Sequence, residues 1–202
     1  MKIFYTINSP YGRIARIAAT ICGIDFEPGE VKPTHLRADD NPVLAFNPTG
    51  RVPTLTDGDI VLTETRPICR YIEAHGDGTQ LFAYEGDWQA ERMEGTAISL
   101  LDGTALWTRE LRRPAEQQSP WLLDVESTRL GRTLAWLDEH PAIRGGETPW
   151  DYAHITLAVA LEYIDLRGLV DDWRPGFDAL AAWSAAQGAR SSMQTHPFVP
   201  GK

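Results

Sequence analysis

The sequence predicts an α/β domain followed by an all-α domain. Apolar residues in the first eighty positions alternate between the spacing of strands and that of helices, whereas beyond residue 86 they keep the spacing of helices. A stretch that contains several glycines, 77–86, separates the two patterns and is predicted to be a linker. The predicted domains are therefore residues 1–76 and 87–202, and a chain of 202 residues is long enough for two small cores.

The first domain is predicted to have the element order β-α-β, then a crossover, then β-β-α. Gly23 has the position of a residue that ends the first helix, and Asp57-Gly58-Asp59 between two apolar runs indicates a hairpin. A loop rich in Pro, Asn and Asp, 33–48, forms the crossover. The predicted strands span 2–7, 25–31, 52–56 and 60–63, and the predicted helices span 10–22 and 67–75. This order is typical of a thioredoxin-like domain.

The second domain is predicted to contain helices only. Ser119-Pro120 is a typical helix start, with Ser as the cap residue and Pro at the first helical position. Ile155, Val159 and Ile164 form an apolar stripe along another helix. The predicted helices span 87–111, 119–137, 148–167 and 176–187, and the tail from Ser191 is predicted to be irregular.

The composition argues against several classes of protein. The net charge of −9 is unfavourable for general binding to nucleic acid or anionic membranes, which requires clustered cations. No run approaches the ~18 apolar residues that span a bilayer, and the short first apolar stretch argues against a cleavable signal. Cys22 and Cys69 lie outside any Cys-x-x-Cys or Cys/His cluster, which predicts two small buried residues, a reducing cytoplasm and no metal site.

The stretch NSPYGR, 8–13, follows the first predicted strand and opens the first predicted helix. A redox site would have Cys-Pro-Tyr-Cys where this chain has Ser9-Pro10-Tyr11-Gly12, so neither sulfur of such a site is present in the sequence. Ser9 lies where free backbone N–H groups and the helix dipole favour an anion. Its hydroxyl is expected either to cap the helix or to donate to a bound thiolate, and spacing alone does not decide between these roles.

Two longer strings carry a family resemblance. FNPTGRVPTL, 46–55, places an Asn-Pro-x-Gly-x-Val-Pro motif before a strand, and LTETRPICRYIE, 62–73, places Glu-Thr at the start of a helix. In this order the strings resemble the N-terminal domain of the glutathione S-transferases, and the helical half is similar to their C-terminal domain. The chain resembles bacterial-type members with a serine-type active site. Thr148-Pro149-Trp150-Asp151 is similar to the capping box of the family, with Thr148 as the cap residue and Asp151 at the third helical position.

The resemblance implies that Ser9 stabilises the thiolate of bound glutathione. Tyr5 is a rival for this role, because some classes of the family use a tyrosine near the end of the first strand. By its spacing in the strand, Tyr5 is also a candidate for the core.

The resemblance also implies how glutathione is held. Pro53 would follow a cis peptide bond, which would turn the backbone of Val52 outward to pair with the cysteinyl part of glutathione. Glu64 and Thr65 would hold the γ-glutamyl end, and the alternative is that they only cap the second helix. Arg51 either meets the glycine carboxylate or is a solvated surface residue.

The helical domain is expected to contribute the pocket for the electrophile. This pocket would be lined by Tyr11, Leu106 and Trp107, with Arg109 and Arg112 as further candidates. An apolar stripe of this kind is also typical of a core. Asp102 would contact the glutathione of a partner subunit, as an acidic residue on this helix does in some classes, and Asp before Gly also suits a solvated kink.

The implied function is that of a cytoplasmic, homodimeric glutathione transferase that takes part in detoxification. Glutathione would be its co-substrate and a small electrophile its second substrate, and neither a metal nor a nucleic acid or membrane partner is implied. Two alternatives stay open. One is a non-catalytic docking or regulatory module with the same fold, and the other is a different glutathione-dependent reaction, such as isomerisation, dehalogenation or ether cleavage.

Overall fold

The computed structural model describes residues 1–145 and 148–200, and these residues form two compact units. The first unit contains Met1–Ala83 together with the segment from Ser191 onward, and the second contains Tyr84–Arg190. The sequence analysis assigned the segment from Ser191 to the helical domain, whereas the structure places it with the α/β domain. The reason is a set of hydrogen bonds between this segment and the first helix, such as the one from Arg13 Nε to the carbonyl oxygen of His196 at 2.6 Å.

The first unit has a four-stranded sheet in the order β2-β1-β3-β4. The strands are β1 (Lys2–Tyr5), β2 (Glu27–Glu30), β3 (Thr54–Asp57) and β4 (Ile60–Thr63). Strand β1 is parallel to β2 and antiparallel to β3, and β3 is antiparallel to β4. The helices are α1 (Pro10–Ile21) and α2 (Thr65–His75). The predicted thioredoxin-like order is therefore confirmed.

The two faces of β1 belong to two clusters of apolar side chains. Tyr5 faces α1, as its contact with Arg16 indicates, whereas Phe4 packs with Val31 and Val43 on the opposite side. The fully buried apolar side chains of β1, β3, α1 and α2 include Ile3, Leu55, Ile14, Ile17, Ile68 and Ile72. Helices α1 and α2 thus each contribute a buried apolar face to the core of this unit.

Besides shifts of one or two residues at the ends of the strands and of α1, three features of the first unit differ from the sequence-based expectation. Helix α2 begins at Thr65, two residues earlier than predicted, because Pro67 is tolerated within the first helical turn. The crossover loop contains two short 3-10 turns, His35–Arg37 and Pro42–Ala45. The tail, predicted to be irregular, forms the short helix α8 (Ser191–Thr195).

The second unit contains five helices in its described part. They are α3 (Trp88–Leu111), α4 (Pro120–Asp138), α5 (Pro141–Arg144), α6 (Tyr152–Arg167) and α7 (Asp178–Gly188). Helix α6 is buried along nearly its whole length and packs against α3 and α7. Helix α4 begins as predicted, with Ser119 Oγ accepting a hydrogen bond from the backbone N–H of Leu122.

The predicted capping box of α6 is wrong in one respect. The cap residue is Asp151, whose carboxylate accepts from the backbone N–H of His154 at 2.9 Å and contacts the His154 ring nitrogen Nδ1 at 2.7 Å. Thr148 lies before the helix, and its hydroxyl accepts from the indole N–H of Trp183 at 2.9 Å. Because an aspartate is a cap residue at least as good as threonine, the helix begins three residues later than the sequence analysis proposed.

Both cysteines lie in the core of the first unit as free thiols. Burial raises the pKa of Cys22 to about 11, with smaller effects from the charges of Asp77 and Glu73. Burial raises the pKa of Cys69 still further. The sequence-based prediction that both are small buried residues is confirmed.

Within residues 1–145 and 148–200, no helix is both long and apolar enough to cross a bilayer.

Candidate functional site

Three of the predicted binding segments lie at the same edge of the sheet. Phe4, near the end of β1, is opposite Thr54 at the start of β3, and Thr54 is opposite Thr63 at the end of β4. The segments that follow β1, precede β3 and follow β4 therefore emerge side by side. They carry the predicted residues Ser9, Arg51, Val52, Pro53, Glu64 and Thr65.

Ser9 caps helix α1. Its backbone is extended, with φ −74° and ψ 119°, and its Oγ accepts a hydrogen bond from the backbone N–H of Gly12 at 3.1 Å. The cap uses a lone pair of the hydroxyl oxygen, so the hydroxyl hydrogen is left to donate to another group. The two roles expected for Ser9 are therefore compatible. The capping role is confirmed, and the side chain is half-buried at the start of the helix.

The rival residue Tyr5 is held inside the first unit. It is 7% exposed, and the guanidinium of Arg16 lies 4.3 Å from the centre of its ring. Arg16 is itself buried, which lowers its pKa, and the nearby Tyr5 acts in the opposite direction. These contacts favour the interpretation of Tyr5 as a core residue.

The close packing around Gly12 explains why position 12 does not have the second cysteine of a redox site. A Cβ atom at this position would lie 2.8 Å from the Cβ of Tyr5, closer than two carbon atoms approach without a backbone shift. Cysteine at position 12 would therefore push α1 away from β1. The glycine allows the first turn of α1, which carries Ser9, to lie against the strand.

The loop before β3 is held by two buried asparagines. Asn47 Nδ2 donates to the carbonyl oxygen of Arg51 at 3.2 Å and to the hydroxyl oxygen of Thr54 at 3.0 Å. Asn41 Nδ2 donates to the carbonyl oxygen of Gly50 at 2.9 Å. Gly50 has a positive φ of 61°, and a Cβ atom there would lie 2.8 Å from Asn41 Nδ2, so this turn requires glycine.

These contacts fix the backbone on either side of Val52-Pro53. The peptide bond between Val52 and Pro53 is cis, as the resemblance implies. Arg51 is exposed, Val52 is half-buried and Pro53 is buried. The sequence analysis missed the role of Asn41, although an asparagine before Pro42 is a recognisable signal for a side chain that bonds to nearby backbone.

Glu64 has an unusual backbone conformation at the start of α2. Its φ of 67° and ψ of 146° fall in a region that is strained for any residue other than glycine. Within the described chain, its side chain makes no capping hydrogen bond to α2, so the Glu64 carboxylate does not cap the first N–H groups of the helix. Thr65 is buried and Glu64 is exposed. Such a terminus favours an anionic ligand.

The second unit has a cavity of about 460 Å³ between α3 and α4. Asp102, Leu106 and Trp107 all line it, although Trp107 is only 7% exposed and Leu106 is 40% exposed. Tyr11 lies in the other unit, on α1, and is half-buried. The cavity lining in the described chain includes neither of the two further candidates, Arg109 and Arg112.

The same cavity has an acidic and a basic group that the sequence analysis missed. Glu126 is buried, and its Oε1 lies 2.6 Å from Nη1 of Arg129. Gly103 allows this carboxylate to approach α3, because a Cβ atom there would lie 2.7 Å from Glu126 Oε2. No local pattern in the sequence connects Gly103 with Glu126, since they lie on different helices.

A metal centre finds no support in these side chains. In the part of the chain that the structure describes, no group of three or more His, Cys, Asp or Glu residues is placed to hold a metal ion.

The sequence and fold of the chain match those of known proteins. The sequence profile of the family described as "Glutathione S-transferase, N-terminal domain" matches residues 8–75. A glutathione S-transferase of Methylobacillus flagellatus KT, solved with glutathione bound, is 25% identical and has a TM-score of 0.87 over 98% of this chain and 99% of its own. The chain has the glutathione transferase fold.

Two further matches extend over most of the chain. A glutathione transferase family member of Pseudomonas fluorescens Pf-5, also with bound glutathione, is 26% identical and has a TM-score of 0.84 over 98% of each chain. The uncharacterized GST-like protein YibF of Escherichia coli K12 is 28% identical over 179 residues, 86% of either sequence. These matches extend the similarity to glutathione transferases beyond the first unit.

Proposed function

We propose that the protein is a cytoplasmic glutathione transferase that activates the thiol of glutathione through Ser9. The observation that carries this proposal is the common edge of the sheet from which the segments of Ser9, Val52-Pro53 and Glu64-Thr65 emerge. The glutathione-bound structures of the Methylobacillus and Pseudomonas relatives support glutathione as the ligand.

In this proposal, glutathione lies along the edge formed by β4, β3 and β1. Adjacent strands are about 4.8 Å apart, so three strands span about 10 Å, which is also the length of an extended tripeptide. The γ-glutamyl carboxylate binds at the N-terminus of α2 beside Thr65, and the carboxylate of Glu64 accepts from the ammonium group. The main chain of Val52 pairs with the cysteinyl residue, and Arg51 binds the glycine carboxylate.

The same binding mode brings the thiol to Ser9 at the end of β1. A free thiol with a pKa of about 8.5 is only ~3% thiolate at pH 7. Lowering that pKa by two units requires about 2.7 kcal/mol. One hydrogen bond to a charged group contributes about 1.5–3 kcal/mol and a helix N-terminus about 0.3–1 kcal/mol. The Ser9 hydroxyl and the start of α1 are therefore sufficient without a metal or a general base.

The reaction then consists of nucleophilic attack by the thiolate. The sulfur forms a bond to the electrophilic atom, and the electron pair of the broken bond leaves with the leaving group or, in an addition, takes up a proton. The protein contributes the ionised thiol and the position of its partner. Leu106 and Trp107 at the cavity between α3 and α4 are the proposed contacts of the electrophile. Asp102 is proposed to contact the glutathione of the partner subunit in a homodimer.

The test is the absorbance of bound thiolate near 240 nm, measured from pH 5 to 9 with saturating glutathione. We expect the wild type to hold thiolate at neutral pH and Ser9→Ala to require a pH higher by one to two units, because about 1.5–3 kcal/mol of hydrogen bonding is lost. Ser9→Thr retains a hydroxyl and is expected to lie close to the wild type. Tyr5→Phe serves as the matched control and is expected to leave the thiol pKa unchanged.

Other outcomes would redirect the proposal. If Ser9→Ala ionises glutathione as the wild type does while Tyr5→Phe does not, the activating residue is Tyr5. If none of these proteins binds glutathione, the docking-module alternative replaces the enzyme. Thiolate formation without transfer to electrophiles such as aryl halides would favour a different glutathione-dependent reaction.

A further inference from the structure

The turn that carries Ser9 is joined to the C-terminal segment, residues 191–200, by a pair of hydrogen bonds. Asn8 Nδ2 donates to the carbonyl oxygen of Val199 at 2.8 Å, and the backbone N–H of Val199 donates to Asn8 Oδ1 at 2.8 Å. The side-chain amide thus pairs with one residue of the main chain in both directions, as a neighbouring strand would. Asn8 is buried and Val199 is half-buried, so these bonds are partly shielded from water.

Two residues of α1, Arg13 and Thr20, hold the same segment on this helix. Arg13, which is 1% exposed, donates from Nε to the carbonyl oxygen of His196 at 2.6 Å and from Nη2 to that of Met193 at 3.3 Å, and its guanidinium lies 4.2 Å from the ring centre of Phe198. His196 Nε2 lies 2.8 Å from Thr20 Oγ1, near the other end of α1. The segment is therefore fixed along α1 before it reaches Asn8.

Asn8 is the residue next to Ser9 in a short turn. The backbone N–H of Ser9 donates to the carbonyl oxygen of Thr6 at 3.0 Å, and the Ser9 side chain is tied to α1 through Gly12. The turn is thus closed by the bond to Thr6 and is bound to α1 through Gly12 and to Val199 through Asn8. A change in the position of Asn8 is passed to Ser9 through a single peptide unit, and hydroxyl donation is sensitive to angle.

We propose that the C-terminal segment positions Ser9 for thiolate stabilisation, with Asn8 as the positioning residue. This inference rests on the proposed function of Ser9. Asn8 does not act on the thiol itself. It holds the turn so that the Ser9 hydroxyl points to the place where the sulfur binds, and the carboxyl-terminal residues of the first unit thereby take part in activating glutathione.

The test uses substitutions at both ends of the pair. Asn8→Ala removes both hydrogen bonds, and Val199→Pro removes the backbone N–H that donates to Asn8 Oδ1 while leaving Asn8 and Ser9 intact. Val199→Ala is the matched control, because it keeps the main-chain N–H and C=O that form the pair. Each protein is saturated with glutathione, and its thiolate absorbance near 240 nm is titrated in parallel with wild type and Ser9→Ala. The far-ultraviolet circular dichroism of every variant is recorded.

We expect Asn8→Ala and Val199→Pro to raise the pKa of the bound thiol and Val199→Ala to leave it unchanged. A shift from about 6.5 to about 7.5 lowers the thiolate fraction at pH 6.5 from about one half to about one tenth, so kcat at that pH falls about fivefold with little change in KM for glutathione. The double variant is expected to shift the pKa no further than Asn8→Ala alone, because both changes remove the same pair.

The outcomes separate this inference from the proposed function. If Ser9→Ala changes the thiol pKa but the folded Asn8→Ala and Val199→Pro proteins do not, the positioning role is overturned and the role of Ser9 stands. If Ser9→Ala behaves as wild type, the proposed function fails and this inference fails with it. If one of the two pair variants does not fold, the other decides, and a raised pKa with native circular dichroism supports positioning.

Discussion

Two residues at the edge of the sheet, Gly12 and Glu64, show how backbone geometry and side-chain chemistry compete at a single position. Gly12 is required because a Cβ atom would meet that of Tyr5 at 2.8 Å. Glu64 is the opposite case, because a side chain is retained at a φ of 67° where glycine would be favoured. Strain of this kind is found at ligand-binding positions, where function requires the side chain.

At position 12, we predict that Gly12→Ala destabilises the protein by about 1–3 kcal/mol, since the added methyl group forces α1 and β1 apart. Chemical unfolding in urea measures the effect. Gly131→Ala is the matched control: apart from the adjacent residues and the nearby backbone of α4 itself, no heavy atom of the described chain lies within 4 Å of the added Cβ. The higher helix propensity of alanine should therefore stabilise α4 by about 0.5–1 kcal/mol. Equal effects of the two substitutions would contradict the steric argument.

At position 64, we predict opposite effects on stability and binding. Glu64→Gly should relieve the backbone strain, which stabilises the folded state, but glycine also gives the unfolded chain more conformational freedom, which opposes this gain. The net effect should be a stabilisation of about 1 kcal/mol. The substitution should also weaken glutathione binding about tenfold, which corresponds to one charged hydrogen bond. Glu64→Gln separates the two effects, because it should weaken binding without stabilising the protein. Urea unfolding measures the change in stability, and calorimetric titration with glutathione measures the change in affinity. A Glu64→Gly protein less stable than the wild type would contradict the inference that the backbone at Glu64 is strained.

At the scale of elements, the segment 191–200 and α1 behave as one structure. Several of their contacts are polar, from Arg13 and Thr20 of α1 to the carbonyl of Met193 and to His196. The imidazole of His196 lies among these groups, and burial, followed by the charges of Arg16 and Arg13, lowers its pKa to about 4. Docking of the segment therefore depends on a neutral histidine.

This shift predicts a pH dependence of stability. The folded pKa of about 4 is below the unfolded value of about 6.5, so the stabilisation is complete above pH 6.5 and is lost as the pH falls toward 4. Between pH 7 and pH 5 the loss due to His196 should be about 1–2 kcal/mol, after allowance for partial exposure. Urea unfolding of wild type and His196→Gln measures it.

The comparison isolates His196 from other titrating groups. Burial also lowers the pKa of His140, and this contribution is common to both proteins. The difference in stability between wild type and His196→Gln should therefore narrow or reverse in favour of the variant as the pH falls. A difference that is constant between pH 7 and pH 5 would show that the segment does not depend on the charge of His196.

Element by element, the sequence was informative where the signal is local. The hairpin at Gly58 and the helix start at Ser119-Pro120 follow from adjacent residues, and both lie where they were predicted. The cap of α6 was misassigned because Thr148 and Asp151 are both good cap residues, and only the competing bond from Trp183 to Thr148 decides between them. That bond joins residues 35 positions apart.

At the scale of the whole molecule, the features that could not be predicted from the sequence are those that depend on contacts between residues far apart in the chain. Asn8 and Val199 are 191 residues apart, and no periodicity or motif connects them. The residues Glu126 and Arg129 at the cavity were missed for a similar reason, since the approach of Gly103 to Glu126 exists only when α3 and α4 are packed. The candidate binding residues at the edge of the sheet could be predicted, because the family resemblance spans the whole first domain. The hydrogen bond from Asn41 that holds the loop before β3 could not be predicted in this way.

The buried thiols report on the folding of the first unit. With a pKa of about 11, the Cys22 thiol at pH 8 is ionised to about one part in a thousand. We predict that neither cysteine reacts appreciably with an aromatic disulfide reagent in the native protein, whereas two thiols per chain react in guanidinium chloride. Glutathione at equal thiol concentration is the control for reagent activity. Rapid labelling of one thiol in native protein would mean that α1 or α2 opens without global unfolding.

The return of the chain to the first unit bears on how the protein is synthesised. The helical unit is an insertion, because the chain leaves the first unit after Ala83 and re-enters it at Ser191. When a ribosome has made the first 83 residues, the carbonyl groups of Met193 and His196 that will accept from Arg13 do not yet exist. Domains generally fold in the order in which they emerge from the ribosome. Here the first unit can complete its contacts only after the segment from Ser191 has been synthesised. The nascent chain therefore lacks the partners of Arg13 on α1 until then. If Ser9 activates glutathione as proposed, this activity is expected only after the inserted helices have been translated.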